Sequence, residues 1–100
     1  MTTVRFHADA KAELKEAVLF YEALFPNLGK AFSAEVKRAI QLLQVYPNAQ
    51  PRISDTLQKL VIRRFPFSLI YQHQVPTNQI LILAVAHHRR RPGYWKKRQP

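Results

Sequence analysis

The fold is decided by residues 57–87, LQKLVIRRFPFSLIYQHQVPTNQILILAVAH, which contain three extended segments separated by short turns. Leu57 to Phe65 ends at Pro66, Phe67 to His73 follows at once, and the turn VPTN leads into Gln79 to His87. Short connections place consecutive strands side by side in opposite directions. The stretch therefore predicts a three-stranded antiparallel meander.

The two later strands of this stretch differ in their apolar pattern. Residues 80–86, ILILAVA, are apolar on both faces, which is typical of a strand covered on both sides. The preceding strand alternates, so one set of side chains is expected to face the helices and the other to face away. The first set is Phe67, Leu69 and Tyr71, and the second is Ser68, Ile70 and Gln72.

The first half of the chain predicts one short strand and two helices. Val4 to Phe6 alternates as a strand, and apolar residues then recur every three or four positions from Asp9, a candidate N-cap, to Phe25. Pro26 and Asn27 end this helix. A second apolar stripe runs from Leu28 to Tyr46, and residues 47–56 have the composition of a loop.

These elements together predict an α+β fold formed by residues 1–100 as one domain. It consists of an N-terminal strand, an antiparallel helical hairpin and a three-stranded antiparallel meander. The two helices are expected to cover one face of a sheet of about four strands.

The basic residues are concentrated near the C-terminus. Sixteen Lys and Arg against six Asp and Glu give a formal net charge of +10. Residues 51–100 contain ten basic residues and one acidic residue, against six and five in residues 1–50. Residues 89–100, the C-terminal basic segment, contain Arg89, Arg90, Arg91, Tyr94, Trp95, Lys96, Lys97 and Arg98. A localised positive field attracts an anionic partner, and the two aromatic residues are unusual for a disordered tail.

Several classes of function are disfavoured by what the sequence lacks. With no cysteine and two glycines, it offers neither a thiolate metal site nor a glycine-rich phosphate loop. Adjacent His87 and His88 on a strand should point to opposite faces, so they are not expected to share a metal. The acidic residues are expected mostly at exposed helical positions, without a catalytic pair. We predict no metal and no cofactor.

No membrane segment is expected either. The longest apolar run, Ile80 to Ala86, has seven residues, whereas a spanning helix needs roughly 20. The N-terminus also lacks the pattern of a secretory signal. The sequence predicts a soluble cytoplasmic protein without a membrane partner.

A metal-free cationic site remains possible on the sheet. Lys59 and Arg63 share one face of their predicted strand, and His88 and Tyr94 lie at and beyond the end of the last strand. Metal-free RNA cleavage needs a proton acceptor, a proton donor and cations near the phosphate, and these residues offer such groups. The alternative is that His88 packs at the strand end and Arg63 is a solvent-facing charge.

The chain resembles the RelE/ParE superfamily of type II toxin–antitoxin toxins. The resemblance covers nearly the whole sequence and is strongest in residues 63–71, RRFPFSLIY, and 84–95, AVAHHRRRPGYW. It implies a growth-inhibiting toxin that is held inactive by a cognate antitoxin in a hetero-oligomer. The charge of +10 favours an acidic antitoxin that folds on binding and covers the basic surface.

The resemblance leaves the target open between two subfamilies. Lys59, Arg63 and Tyr94 match the RelE pattern for cleavage of messenger RNA on the ribosome, whereas three positions depart from it. The departures are Val61 for Lys, Ser68 for Arg and His88 for Arg. They favour a ParE-like, non-enzymatic inhibitor of DNA gyrase that binds its target through the C-terminal basic segment. The alternatives are a ribosome-dependent endoribonuclease and a non-toxic basic nucleic-acid-binding module.

Overall fold

The structure, a computed structural model that describes residues 2–100, confirms the predicted α+β fold. The sheet has the strand order β1-β4-β3-β2, and both helices lie between β1 and β2 in sequence. Two short 3₁₀ helices, Val75–Thr77 and Lys96–Arg98, complete the chain. The main elements are β1 Thr3–Phe6, α1 Ala8–Leu24, α2 Leu28–Val45, β2 Gln58–Val61, β3 Phe67–Gln74 and β4 Gln79–His87.

Strand β4 lies between β1 and β3, as its apolar sequence predicts. It pairs antiparallel with β3 along its whole length, but β1 runs parallel to it and reaches only from Gln79 to Ile82. A β-bulge follows directly, because Tyr71 is paired with Ile82 and Ile70 with Ala84, which leaves Leu83 as an extra residue. The second half of β4 therefore has an edge without a neighbouring strand.

The helical hairpin covers one face of the sheet and encloses an aromatic cluster. Phe32 of α2 is fully buried, and its ring centroid lies 5.0–5.3 Å from those of Tyr21, Phe65 and Phe67. The predicted orientation of β3 is confirmed on this side, since Leu69 is buried in the same core. Aromatic contacts at this distance add to the stabilisation from burial.

A second, smaller apolar cluster lies on the sheet face opposite the helices. Ile70 belongs to it, as the alternation of β3 predicts, and the aromatic rings of Tyr94 and Trp95 pack against it. The remaining members are Leu57, Leu83, Ala84 and Ala86, with Leu81 packed alongside. Both faces of β4 are thus covered by the chain itself.

Two predicted boundaries were wrong. Helix α1 begins at Ala8 and is capped by His7, whose Nδ1 accepts a hydrogen bond from the backbone N–H of Asp9 at 3.0 Å. Strand β2 ends at Val61 instead of Phe65. The chain turns back at once, since Ile62 donates from its backbone N–H to Phe67 at 2.9 Å and Arg64 has a left-handed φ of 71°.

Phe32→Ala is expected to lower the free energy of unfolding by about 3–5 kcal/mol, because it removes the ring at the centre of the aromatic cluster. Urea unfolding followed by circular dichroism measures the loss. Phe25→Ala is the matched control, since Phe25 is 68% exposed, and it should change the stability by less than about 0.5 kcal/mol. Equal effects of the two substitutions would contradict the assigned core.

Candidate functional site

The C-terminal basic segment is folded against the sheet. It leaves β4 at His87, turns at Gly93 and continues into the 3₁₀ helix, while Tyr94 and Trp95 pack on the second apolar cluster. Gly93 has a φ of +81°, and a Cβ there would lie 3.0 Å from Cε of Lys96. Any other residue at position 93 would therefore have an unfavourable backbone conformation and a close contact between its Cβ and Lys96.

Glu13 of α1 anchors this segment. Its carboxylate accepts a hydrogen bond from the Tyr94 hydroxyl at 2.8 Å and two from the Arg98 guanidinium at 2.8 and 3.1 Å. The side chains of Glu13 and Arg98 are only 13% and 15% exposed. A bidentate contact between a guanidinium and a carboxylate is among the stronger ion pairs in proteins.

The same two side chains complete the open edge of β4. Arg98 donates to the carbonyl of Leu83 at 2.9 Å, and Glu13 accepts from the backbone N–H of Val85 at 3.0 Å. Leu83 is the extra residue of the bulge, and Val85 lies in the part of β4 that extends beyond its pairing with β1. The ion pair thereby does for this edge what a further strand would do.

Protonation states in the anchor follow from this geometry. Burial, together with the hydrogen bond to Glu13 and its negative charge, raises the pKa of Tyr94 well above its usual range. The hydrogen bonds to Glu13 raise the pKa of Arg98, with burial acting against them. Tyr94 is thus a neutral donor and Arg98 a cation at any physiological pH.

Glu13 was not among the predicted site residues, because the acidic residues were expected mostly at exposed helical positions. Glu13 is largely buried, as is Glu35, whose carboxylate lies 3.7 Å from Arg38 and 3.9 Å from Arg64. A signal was present, because Glu13 lies three residues after Ala10 and four before Ala17, and both alanines are buried. Glu13 thus occupies the apolar stripe of its helix.

The structure divides the eight predicted target-binding residues into two groups. Tyr94, Trp95 and Arg98 are anchors, and the guanidinium of Arg90 lies 4.0 Å from the centre of the Tyr94 ring and 3.8 Å from Glu13. The other four are exposed cations with no ion pair to any of residues 2–100: Arg89, Arg91, Lys96 and Lys97.

The predicted catalytic residues are only partly brought together. Oγ of Ser68 and Nε2 of His88 lie 2.9 Å apart, and both line a concavity of about 150 Å³ with Lys59 and Trp95. Within residues 2–100, neither Arg63 nor Tyr94 lines that concavity. Arg63 follows the end of β2, and the Tyr94 hydroxyl is held by Glu13.

The two adjacent histidines point to opposite faces of the sheet, as predicted. His87 contacts the ring of Phe67 on the helical side at 5.0 Å, whereas His88 reaches Ser68 on the other side. Among residues 2–100, no three His, Asp or Glu side chains are grouped closely enough to hold a metal ion.

Comparison with known families identifies the chain. The family model for the ParE toxin of the type II toxin–antitoxin system parDE matches residues 4–92. The chain belongs to the ParE toxin family. Its partner is therefore an antitoxin. None of the curated proteins matches the chain.

Within residues 2–100, no helix is long and apolar enough to cross a membrane.

Two solved toxin structures share the fold of this ParE family member. A chain from the chromosomal ParDE TA system of P. aeruginosa is 22% identical, with a TM-score of 0.74, and the match covers 87% of this chain and 96% of that one. The isolated RelE toxin of E. coli is 15% identical, with a TM-score of 0.65 and coverage of 97% and 95%. Both matches span nearly the full length of the known chains.

The match to the ParE family model ends before the anchor is complete. It includes Glu13 and Arg90 but stops at residue 92, so Tyr94 and Arg98 lie beyond it. Two of the residues that anchor the C-terminal basic segment thus lie outside the matched range.

Glu13→Gln should release the C-terminal basic segment, because it leaves the largely buried Arg98 with only the exposed carboxylate of Asp9, which lies 3.7 Å from its guanidinium. We expect about 2 kcal/mol of local stability to be lost. Amide exchange of residues 94–98 should then be at least tenfold faster, as measured by hydrogen–deuterium exchange. Glu16→Gln is the control, because Glu16 lies three residues further along α1 and is exposed to solvent. Unchanged exchange in Glu13→Gln would show that the apolar contacts alone hold the segment.

Proposed function

We propose that this ParE family toxin inhibits DNA gyrase in the cytoplasm without catalysing a reaction. Its exposed cations, Arg89, Arg91, Lys96 and Lys97, contact the target. The observation that carries the proposal is their presentation on a segment held rigidly by Glu13, Tyr94 and Arg98. A rigid surface loses less conformational entropy on binding than a free basic tail does.

The opposite face of the sheet also supports an inhibitor in preference to a nuclease. Two positions where the RelE pattern has a cation contain Val61, which is 55% exposed, and Ser68, which is 2% exposed. A phosphate bound there would meet fewer fixed positive charges than cleavage of RNA requires. The match to the ParE family model points in the same direction.

The antitoxin of this toxin is proposed to be acidic over the segment that contacts the exposed cations. Residues 51–100 carry ten basic residues and one acidic residue, and the four exposed cations have no counter-ion within residues 2–100. An acidic chain bound to them forms new ion pairs and blocks the target surface. Toxin and antitoxin then form a hetero-oligomer in which the toxin is inactive.

The gyrase proposal is tested with purified gyrase, relaxed plasmid and this chain. We expect loss of supercoiling at stoichiometric excess of the chain. Arg89→Glu with Arg91→Glu should raise the half-inhibitory concentration at least tenfold, because it reverses two contacts with the target. Lys11→Glu with Lys15→Glu makes the same charge change on exposed positions of α1 and should have little effect. Full supercoiling in the presence of excess unmodified chain would refute the proposal.

Cleavage of ribosome-bound RNA is the second candidate, and the concavity at Ser68 and His88 favours it. Lys59 at its wall offers a cation for the phosphate, Trp95 a surface for a base, and His88 an imidazole that can accept or donate a proton. In this function His88 would remove the 2′-hydroxyl proton or protonate the leaving oxygen.

The nuclease candidate predicts discrete cuts in messenger RNA when translating ribosomes are present, read by primer extension. His88→Ala should lower the cutting rate at least a hundredfold, since it removes the proton-transfer group. His73→Ala, which removes a histidine that lines a different concavity, should keep most of the activity. Absence of cuts with the unmodified chain, or equal loss in both variants, would count against this function.

A further inference from the structure

A groove of about 330 Å³ lies beside Trp95, between the C-terminal basic segment and the loop before β2. It has an apolar floor and a positively charged rim. Leu57, Trp95 and Pro92 form apolar surface, and Ile53, which is 41% exposed, extends it towards solvent. The complete lining is Ile53, Ser54, Leu57, Lys59, Pro92, Gly93, Trp95, Lys96 and Gln99.

The charges of the rim are all of one sign. Lys59 of β2 and Lys96 of the C-terminal basic segment both line the groove, and neither forms an ion pair with any of residues 2–100. Asp55, the acidic residue of the neighbouring loop, lines a different concavity with Arg52 and His73. The groove thus offers two uncompensated cations beside an apolar surface.

The walls of the groove are fixed before any partner binds. The Thr56 hydroxyl donates to Oε1 of Gln99 at 3.2 Å and joins the loop to the end of the chain. Oγ of Ser54 accepts the backbone N–H of Leu57 at 3.1 Å. Arg98, one residue before Gln99, is held by Glu13. A preformed groove binds a ligand without the entropic cost of ordering its walls.

We propose that this groove binds an acidic peptide segment of the inhibited target protein. One large apolar side chain of that segment packs on Trp95 and Leu57, and flanking carboxylates pair with Lys59 and Lys96. The assignment to the target rests on the proposed function, because the C-terminal basic segment that builds one wall is also the surface given to the target.

The chemistry of the floor favours a peptide over a nucleic acid. Sequence-tolerant binding of single strands uses aromatic rings on which bases stack, together with a continuous cationic track. Here the Trp95 ring is one part of an apolar floor that also contains the aliphatic residues Leu57 and Pro92. The polar groups at the rim, Ser54 and Gln99, already take part in hydrogen bonds within the chain. An aliphatic or aromatic side chain therefore matches this floor better than the polar edges of a base.

The groove can be observed directly because Trp95 is the one tryptophan of the chain. The probe is a synthetic octapeptide of glutamates with a central Leu-Phe pair. Binding should shift the Trp95 emission to shorter wavelength. Lys59→Glu and Lys96→Glu should each weaken binding at least tenfold, whereas Lys15→Glu, on α1, should not. A peptide with Ser-Ser in place of Leu-Phe should also bind at least tenfold more weakly.

Three results would overturn the proposal. The first is no change in Trp95 emission with the octapeptide, and the second is equal binding by the Lys59→Glu, Lys96→Glu and Lys15→Glu variants. The third is stronger binding of a ten-residue oligothymidylate with quenched emission, which would make the groove a nucleic-acid site.

The source of the segment is tested in the supercoiling assay. Saturating octapeptide should relieve the inhibition of gyrase by the unmodified chain, and persistent inhibition would show that the groove does not contact the target. If the octapeptide leaves the inhibition unchanged and purified antitoxin displaces it from the groove, the occupant is the antitoxin and not the target. A chain that leaves gyrase active contradicts the proposed function alone, and the fluorescence titration still decides the chemistry of the groove.

Discussion

The contact between Glu13 and Arg98 is the interaction on which the second half of the molecule depends. Removing both charges from water costs several kcal/mol per ion, and such a pair is favourable only when its remaining hydrogen-bonding capacity is used. Here it is used. Each carboxylate oxygen of Glu13 accepts a bond from Arg98, and one accepts Val85 while the other accepts Tyr94. The pair thus links α1, the edge of β4 and the C-terminal basic segment.

This arrangement explains how a chain with a strongly basic end keeps that end folded. The cations of residues 89–98 repel one another, which by itself would favour an extended tail. Two of them make favourable contacts within the chain. Arg98 pairs with Glu13, and the guanidiniums of Arg90 and Arg98 lie 4.0 and 5.1 Å from the centre of the Tyr94 ring, which attracts both cations. The others remain in solvent on a surface whose shape is fixed. The exposed charges and the contacts that hold the segment therefore belong to different members of one basic cluster.

The sequence predicts the elements well because their signals are local. The period of the apolar residues identifies both helices and the three strands of the meander, and the alternation in β3 correctly assigns its faces. The apolar pattern does not predict a boundary that depends on a single backbone angle. Arg64 is an example, because its left-handed conformation follows the early end of β2. The roles of Glu13 and Arg98 escape it for another reason, because the two residues are 85 positions apart and their pairing depends on the assembled sheet. Nor does composition reveal that Ser68 and His88, two departures from the RelE pattern, lie in contact with each other.

The parallel pairing of β1 with β4 joins residues that are far apart in the sequence, and this affects when the contacts of the fold can form. Thr3 pairs with Gln79, and Glu13 contacts Tyr94, so each contact forms only after the later residue has been synthesised and has left the ribosome. Contacts of such long sequence separation form late in folding. The residues of the helical hairpin are synthesised before these partners, and the C-terminal basic segment has no fixed shape until residues 79–98 can contact β1 and α1. A nascent copy therefore has an unanchored basic segment for as long as those residues remain in the ribosome.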